Sequence, residues 1–449
     1  MARMNKDFDE FCDPLNPRTI TYEDVLSATQ RIRNHIEPSP CIASHFQNLI
    51  GMKLFYKLES FQPTGSFKGR GALNALEVMP RDEQRKGVVL ASAGNQALGV
   101  CYYAQKTKIP VTVVMSNIVP ITKLQKCQNY GAKVIVHGDN YHDAQKHAKY
   151  MAREMGLTFI NARDHPDIIA GYGSIALEIL DQVPDVDAVL VPVGSGGLAA
   201  AVTAVIKKLK PQCLVYGVEP EILPTFFKSL EAGKPMTLPW TNSVADSIAM
   251  SNIGVNAFHT AKALLDKMIL VNEDWIARAV LHYVEKERLV VEGAGACPLA
   301  AIMAKLVPEL KQKTVVCIAS GGNIDAVLLG RCLDRGRAAE GRLVKFKVGI
   351  PDSSAGYEGL LRLLADNNFN MYRLFPDRTW VEDEMYSVEV KVVCETTGLD
   401  HAIELKRIIE KVYPNTALFE AEPYDVNKTC PCYYNKPSKS KRSVSRADP

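Results

Sequence analysis

The sequence predicts an α/β fold built on parallel sheets, followed by a small C-terminal domain with a different order of elements. Short apolar segments alternate with helical stretches as far as about residue 330, which is typical of parallel sheets covered on both faces. A charged, glycine-bearing segment at 331–342 then interrupts this alternation. Beyond it the order becomes βαββαβ, which suits a sheet with two helices on one side.

The first predicted helix covers residues 25–36 and follows Thr21 and Asp24, whose spacing resembles a capping box. A strand over 54–58 leads to the segment that contains Lys68. Further strands of the parallel part are predicted over 87–91, 111–115, 133–136, 188–193, 215–219 and 314–319. Helices between these strands are predicted over 96–106, 121–130, 141–155, 173–180 and 198–209.

The chain is predicted to divide into an N-terminal extension, a main domain, a linker, a small domain and a tail, over 1–18, 19–335, 336–342, 343–425 and 426–449. The small domain has predicted strands over 343–350, 369–375, 385–394 and 416–422, and helices over 356–367 and 399–412. The polar, basic tail is predicted to be disordered, and nuclear targeting by it is the weaker alternative.

Composition excludes several classes of function. The chain has 449 residues with a net charge of +3, from 53 basic and 50 acidic residues, and this balance disfavours a nucleic-acid-binding protein. Its 11 cysteines are scattered without a CxxC pair, which indicates small core residues in a reducing compartment, and so a cytoplasmic protein. The N-terminus shows no secretory signal, and no run of about 18 apolar residues predicts a membrane span.

A run of four small residues, Gly194, Ser195, Gly196 and Gly197, lies between a predicted strand and a helix that begins at Leu198. Such a turn lets backbone N–H groups converge at a helix N-terminus, where a phosphate group is favoured. A packing turn is the alternative. The run does not match GxxxxGK[ST], so it does not indicate a P-loop nucleotide site.

Two more loops follow predicted strands. The first, at 92–96, reads Ser-Ala-Gly-Asn-Gln, in which the Ser92 hydroxyl and the backbone amides could hold a carboxylate and Asn95 a phenolic oxygen. The second, at 320–323, reads Ser-Gly-Gly-Asn and places Ser320 at the end of a strand, where open α/β sheets bind ligands. Helix capping is the alternative for both loops.

Lys68 lies in the string Ser-Phe-Lys-Gly-Arg-Gly-Ala over 66–72. A lysine in such a turn is usually a surface charge. A lysine that is buried near a phosphate and a carbonyl cofactor behaves differently, because burial lowers its pKa and its neutral amine can form a Schiff base.

The four strings SFKGRGA, SAGN, GSGGL and SGGN together resemble the fold-type II enzymes that use pyridoxal 5'-phosphate (PLP), the tryptophan synthase β-like fold. Within that class the chain is similar to the threonine/serine dehydratase (ammonia-lyase) and serine racemase group, over about residues 21–330. The resemblance implies two open parallel-sheet α/β subdomains, the smaller one, about 70–170, inserted in the larger. It also implies PLP as the cofactor and a homodimer or homotetramer.

The resemblance assigns roles by position. Lys68 is expected to bind the cofactor and to take the substrate Cα proton, Asn95 to contact the ring 3'-oxygen, and Ser320 to face the pyridine nitrogen. The phosphate is expected at Gly194, Ser195, Gly196, Gly197 and Leu198. The substrate is expected at Ser92, Ala93, Gly94 and Gln96.

The implied reaction is β-elimination from L-threonine or L-serine, which gives 2-oxobutanoate or pyruvate and ammonia. A hydroxyl such as Ser320 holds a pyridinium less strongly than a carboxylate does, which favours early loss of a leaving group. Serine racemase is an alternative, but Ala93 stands where animal serine racemases have an acid/base serine. A threo-3-hydroxyaspartate ammonia-lyase and a catalytically weak amino-acid sensor also remain open.

Three positions depart from the group's pattern. Gln96 stands where histidine is frequent, and Ser247 follows Asp246 where glycine is usual. Glu219 resembles the first ligand of a divalent-metal loop, but Thr225 occupies the position of a further acidic ligand. We therefore expect no metal site and regard Glu219 as a weak candidate, with capping as its more favoured role.

The C-terminal domain resembles an ACT-like domain, on residues 377–378 and 394–401. Such domains often bind amino acids at their interfaces. The first turn, 352–356, lacks the usual Pro-Gly, so an amino-acid effector and a purely structural, dimer-forming role have equal weight.

Overall fold

The computed structural model describes residues 9–46, 51–117, 119, 121–379, 385–419 and 433–435. Its strands are β1 Cys41–Ala43, β2 Lys53–Leu58, β3 Val88–Ala91, β4 Val111–Met115, β5 Lys133–Val136, β6 Thr158–Phe159, β7 Ala188–Pro192, β8 Leu214–Pro220, β9 Lys267–Val271, β10 Thr314–Ala319, β11 Leu343–Pro351, β12 Asn370–Asp377, β13 Ser387–Glu395, β14 Leu418–Phe419 and β15 Tyr433–Asn435. Its α-helices are Tyr22–Ile32, Lys68–Val78, Arg81–Lys86, Asn95–Thr107, Ile121–Asn129, Tyr141–Met155, Pro166–Tyr172, Ser174–Gln182, Gly197–Leu209, Thr225–Ala232, Val255–Ala261, Glu273–His282, Gly293–Met303, Ala326–Ala339, Ser354–Asp366 and Leu399–Val412.

The larger sheet has seven strands in the order β1-β2-β10-β7-β8-β9-β15. Its five inner strands run parallel, and β1 and β15 pair antiparallel at the two edges. Every residue of β7 and β10 is buried, because apolar clusters cover both faces of the sheet. The prediction of a parallel sheet covered on both faces is therefore confirmed.

The second sheet has four parallel strands in the order β5-β4-β3-β6. All four lie within residues 70–170, the segment predicted to form the smaller subdomain. The helix Tyr141–Met155 packs its buried alanines against one face of this sheet. Open α/β sheets bind ligands at the carboxyl ends of their strands. With two such sheets, the loops at these ends come from separate parts of the chain.

The C-terminal sheet is antiparallel in the order β12-β13-β11-β14 and carries the predicted βαββαβ plan. Alternate residues of β11 and β13 are buried, so only one face of the sheet is covered. The helices Ser354–Asp366 and Leu399–Val412 supply the apolar side chains on that face, with Leu360, Leu364, Leu405 and Ile409 in the core.

The predicted linker is corrected, because the helix Ala326–Ala339 runs through most of the segment 331–342. Asp325 starts this helix by accepting hydrogen bonds from the amides of Val327 and Leu328. Its charged residues lie outside, while Cys332 and Gly336 are buried against the helix Glu273–His282. The charges that suggested a loop are thus the solvent face of an amphipathic helix. The domain boundaries themselves stay a prediction.

The predicted disordered tail is also corrected in part. Three of its residues form β15, which pairs antiparallel with β9 from Tyr433 opposite Ile269 to Asn435 opposite Lys267. The other residues of the tail, and those of the last predicted strand beyond Phe419, lie outside the described part of the chain. Among the helices that the structure describes, none has the length and apolar character needed to cross a bilayer.

Candidate active site

Lys68 is the first residue of the helix Lys68–Val78, directly after a loop that contacts the 320–323 turn. Ser66 forms a β-bridge with Gly321, and the Phe67 amide donates to the Ser320 carbonyl at 3.1 Å. The two predicted strings are therefore joined through their backbones. A fixed backbone directly before the lysine restricts where its amine can lie.

Arg70 holds the same helix from its other side. Its guanidinium is fully buried between two carboxylates, with Nε 2.8 Å from Glu59 Oε2 and Nη1 2.5 Å from Glu178 Oε1. It also donates to Ser174 Oγ at 3.0 Å. The buried guanidinium is thus paired with a carboxylate on each side, as a buried charge requires. The ionic cluster fixes the turn that carries Lys68.

The Lys68 amine lies among aromatic rings, 4.7 Å from the centre of the Phe67 ring and 5.1 Å from that of Tyr172. Burial lowers the pKa of Lys68 to about 8, against the opposing effect of Glu292, and the charge of Arg163 lowers it further. A larger share of the amine is then neutral near pH 7 than for an exposed lysine, and the neutral form is the nucleophile for a carbonyl group.

Two adjoining cavities meet at Lys68, Asn95 and Ser195, which line both of them. The larger, about 230 Å³, is called here the reaction cavity, and the smaller, about 40 Å³, the phosphate cavity. Ser92, Ala93, Gly94 and Gln96 also line the reaction cavity. Gly194, Gly196, Gly197, Leu198 and Ser320 also line the phosphate cavity. The structure thus brings all the residues predicted to bind cofactor or substrate to one place, while their individual roles stay predictions.

The glycine loop, residues 194–197, joins β7 to the helix Gly197–Leu209. Gly196 has φ +98°, and a Cβ atom there would lie 2.4 Å from Phe226 Cε2, so only glycine fits. Ser195 is held at both ends, since its Oγ donates to the Arg163 carbonyl at 3.0 Å and its carbonyl accepts from the Gly254 amide at 2.8 Å. A rigid turn of free amides at a helix N-terminus suits a phosphate dianion.

Asn95 is oriented by hydrogen bonds at both ends of its amide. Its Oδ1 accepts from Asn323 Nδ2 at 2.9 Å, and its Nδ2 donates to Glu292 Oε1 at 2.8 Å. Asn323 Nδ2 also donates to the Thr64 carbonyl at 2.7 Å, so the amide of Asn323 is fixed as well. The Asn95 side chain therefore presents its N–H groups, not its oxygen, to the side of Glu292 and the cavities.

Glu292 has no role in the predictions from sequence. The structure places it on the wall of both cavities, where its Oε1 also accepts from Ser247 Oγ at 2.8 Å. Burial and the neighbouring Asp246 raise the pKa of Glu292, while the bonds from Ser247 and Asn95 oppose this shift. The serine that replaces the group's usual glycine at 247 therefore holds a cavity carboxylate in place.

Gln96 has an unused donor that lines the reaction cavity. Its Oε1 accepts from the Tyr172 hydroxyl at 2.9 Å, whereas its buried Nε2 has no hydrogen-bond partner among the described residues. A Cβ atom at Gly94 would meet nothing within 4 Å, so open space lies next to the same turn. An open space beside an unpaired buried donor suits a polar ligand group.

Glu219 lies apart from both cavities and acts as a helix cap. Its two carboxylate oxygens accept from the amides of Phe226 at 2.9 Å and Phe227 at 3.0 Å, at the start of the helix Thr225–Ala232. Burial raises its pKa to about 8, and these amides oppose the shift. The favoured role of Glu219, capping, agrees with this geometry, and both of its oxygens are occupied by protein donors.

Sequence reasoning missed Arg163, which lines the reaction cavity. Its guanidinium carbon lies 3.8 Å from the centre of the Tyr141 ring, and its Nη1 donates to Asn252 Oδ1 at 2.7 Å. No local motif signals this residue, because its position depends on contacts with Tyr141 and Asn252, which are distant from it in the sequence.

A family model described as pyridoxal-phosphate dependent enzyme matches residues 32–321. The chain belongs to this family of PLP-dependent enzymes. An L-threonine ammonia-lyase from Geobacter sulfurreducens is 38% identical over 387 residues, which are 86% of this chain and 96% of the relative. The processed form of threonine deaminase isoform 2 from Solanum lycopersicum superposes with a TM-score of 0.67 at 31% identity, over 71% of this chain and 95% of that chain. Maize serine racemase superposes with a TM-score of 0.66 at 30% identity, over 71% of this chain and 98% of that chain.

The cofactor of this PLP-dependent enzyme is pyridoxal 5'-phosphate, and the described residues fit it. The glycine loop lines the phosphate cavity at the start of the helix Gly197–Leu209, and Lys68 supplies a buried amine whose pKa is lowered to about 8. The fold-type II assignment from the four strings is confirmed by the family match and by the related structures.

Proposed function

We propose that this enzyme is an ammonia-lyase that converts L-threonine, L-serine or both to 2-oxobutanoate or pyruvate and ammonia by β-elimination. The observation that carries the proposal is the position of the Lys68 amine, at the junction of the phosphate cavity and the reaction cavity. The Geobacter sulfurreducens L-threonine ammonia-lyase, similar along 86% of this chain, supports the same reaction.

The residues predicted to bind cofactor or substrate divide the steps of this reaction between them. PLP, when bound, supplies the electron sink that makes the substrate Cα–H bond acidic. Lys68 takes the Cα proton, and the buried environment that lowers its pKa to about 8 prepares it for this. The amides of the 92–94 turn hold the substrate carboxylate at the N-terminus of the helix Asn95–Thr107, and Gln96 Nε2 is a further donor there.

Ser320 and Ala93 favour elimination over racemization. Ser320 is buried on the wall of the phosphate cavity and offers a neutral hydroxyl, which stabilises a pyridinium less than a carboxylate does. Ala93 lines the reaction cavity and cannot carry a proton to the face opposite Lys68. We expect D-serine to form from L-serine far more slowly than pyruvate, and a comparable rate for the two products would contradict this assignment.

The test uses the purified holoenzyme. We expect a visible cofactor band that borohydride abolishes, with the reduced cofactor attached to Lys68 in the peptide map. We also expect ammonia and 2-oxobutanoate to appear from L-threonine in equal amounts. Lys68→Ala should lose both the band and the product. A holoenzyme with the band but without product from L-threonine or L-serine would favour the amino-acid sensor instead.

We further propose a cytoplasmic homodimer or homotetramer with an ACT-like regulatory domain. The antiparallel βαββαβ domain supports the last point, and Arg378 joins its β12 to its first turn through bonds of 2.7 and 3.1 Å to Asp352. Sedimentation and activity assays of the full chain, with and without each common amino acid, test the oligomeric state and the binding of an effector. A change in assembly or activity with one amino acid supports an effector site, and none supports a structural role.

A further inference from the structure

The segment 9–20, called here the N-terminal arm, packs against residues that are far from it in the sequence. Near its start, the centre of the Phe11 ring lies 4.5 Å from that of the His165 ring. At its end, the Ile20 amide donates to Thr260 Oγ1 at 3.0 Å. The arm is therefore docked near both of its ends, where the sequence predicted only an N-terminal extension.

Asn161 joins the arm to the backbone that supports Ser195. Its Nδ2 donates to Asp9 Oδ2 at 2.8 Å and lies 3.2 Å from Cys12 Sγ, and both partners belong to the arm. Its Oδ1 accepts from the amide of Arg163 at 3.2 Å. The carbonyl of Arg163 in turn accepts from Ser195 Oγ at 3.0 Å. A continuous series of hydrogen bonds therefore leads from the arm to the glycine loop.

Asn256 forms a second connection with the arm. This residue is fully buried in the helix Val255–Ala261. Its Nδ2 donates to the carbonyl of Phe11 at 2.7 Å, and its Oδ1 accepts from the amide of Arg18 at 2.7 Å. The same Nδ2 also donates to the carbonyl of Asp164 at 3.0 Å. Both ends of the Asn256 amide are thus bonded to the arm.

Gly254, directly before that helix, carries the second connection to the glycine loop. Its amide donates to the carbonyl of Ser195 at 2.8 Å, and a Cβ atom at 254 would overlap the carboxylate of Asp164. Asp164 caps the helix by accepting from the amides of Asn256 at 2.9 Å and Ala257 at 3.0 Å. Both hydrogen bonds that hold Ser195 therefore come from segments to which the arm is bonded.

Apolar burial contributes little to the docking of the arm. Within the arm only Ile20 is buried, and Leu15 is 87% exposed. Docking therefore depends on the hydrogen bonds to Asn161 and Asn256, and a segment held in this way opens locally at a low cost in free energy. A group that is bound at the glycine loop fixes these two amides through Ser195, and so it favours the docked arm.

We propose that the N-terminal arm is part of the support of the phosphate site, and that docking of the arm and binding of the cofactor phosphate strengthen each other. Asn161 and Asn256 are positioning residues, because they act through Ser195 and its neighbours. Coupling of this kind is reciprocal: the docked arm tightens phosphate binding by the same factor by which bound phosphate favours docking. The inference rests on the predicted role of the glycine loop and is independent of the reaction.

Hydrogen exchange of the wild-type apoenzyme, followed by mass spectrometry, measures docking directly. The amides of Arg18 and Ile20 report on it, because both donate to side chains outside the arm. Pyridoxal 5'-phosphate and inorganic phosphate should each slow the exchange of these amides by roughly fivefold or more. Pyridoxal, which has the ring and the aldehyde but no phosphate, should leave their exchange unchanged.

The double variant Asp9→Ala with Phe11→Ala tests the coupling from the other side, because it removes two anchors of the arm that line neither cavity. It should lower the affinity of the apoenzyme for PLP and for inorganic phosphate by the same factor, roughly five- to tenfold. Its affinity for pyridoxal should stay within about twofold of wild type. Glu10→Ala is the matched control, since it removes one carboxylate from an exposed neighbour, and it should bind all three ligands like wild type. Phe11→Tyr keeps the ring and should also bind like wild type.

Two results would overturn the proposal. One is an equal loss of affinity for PLP and pyridoxal in the double variant, which would mean a general loosening of the fold. The other is exchange of the arm amides in wild type that neither PLP nor inorganic phosphate slows, and this result decides the question even if the variants do not fold. Neither measurement uses turnover, so a holoenzyme that is inactive on L-threonine and L-serine would refute the proposed function and leave the role of the arm intact.

Discussion

Gly196→Ala should destabilise the protein because the glycine loop admits no side chain at this position. The backbone has φ +98°, and an alanine in the left-handed region costs about 1–2 kcal/mol. The new methyl would also lie 2.4 Å from Phe226 Cε2 and 3.2 Å from Ala257 Cβ, and overpacking of this kind costs about 1–3 kcal/mol. The two effects together predict a loss of about 2–5 kcal/mol in the free energy of unfolding.

Urea unfolding of the apoenzyme, followed by circular dichroism, measures this loss without any contribution from bound cofactor. Gly197→Ala is the matched control, because its methyl would find no atom closer than 3.4 Å and its residue begins a helix. We expect it to change stability by less than about 1 kcal/mol. The double variant Gly196→Ala with Phe226→Leu should recover the part due to the clash but not the part due to φ.

Equal stabilities of the alanine variants at 196 and 197 would refute this reasoning. They would mean that the loop relaxes freely, and a loop that relaxes freely could not present fixed amides to a phosphate group. The argument for a preorganised phosphate site would then fail together with the stability argument.

Three further predictions concern the rest of the site. Asn323→Asp should lower PLP affinity in equilibrium dialysis by roughly tenfold, because a carboxylate cannot donate to Asn95 Oδ1 and the Asn95 amide loses its orientation. The rate of PLP incorporation into the apoenzyme should rise with pH up to about 8 and then level off. The reason is that the pKa of Lys68 is lowered to about 8, so its amine is mostly neutral above that pH. A plateau only near pH 10 would contradict this. Arg70→Met should cost about 3–5 kcal/mol in urea unfolding, because it leaves the fully buried carboxylate of Glu59 unpaired.

The main elements of the fold could be predicted from periodicity alone. β4, Val111–Met115, and β10, Thr314–Ala319, appear with the predicted bounds, because continuous apolar runs between helical stretches have few other stable arrangements. β9, Lys267–Val271, was not predicted, although all five of its residues are buried in the larger sheet. It has five residues, as β4 has, and its last four are apolar, so the sequence carries a strand signal here that the prediction did not use.

Charge patterns were less informative than apolar ones. The segment 331–342 was interpreted as a linker from its arginines and glycines, but the helix Ala326–Ala339 needs only a narrow apolar face, since Cys332 and Gly336 alone are buried. Gly336 packs closely against the helix Glu273–His282, since a Cβ atom there would lie 2.9 Å from the Ala277 carbonyl oxygen. Glycine is therefore required at this position by a contact with another helix. Such a contact has no local signature in the sequence.

The order and spacing of the four strings around Lys68, Asn95, the glycine loop and Ser320 sufficed to identify the family, because each string combines strand, turn and helix signals with side chains for one cofactor. The tertiary structure alone decided which groups are left without a partner in the cavity. Hydrogen bonds between distant segments satisfy Glu292 and Asn95, while the buried amide nitrogen of Gln96 has no partner among the described residues. Satisfaction of polar groups depends on distances of about 3 Å between atoms, and these distances exist only after the chain has folded.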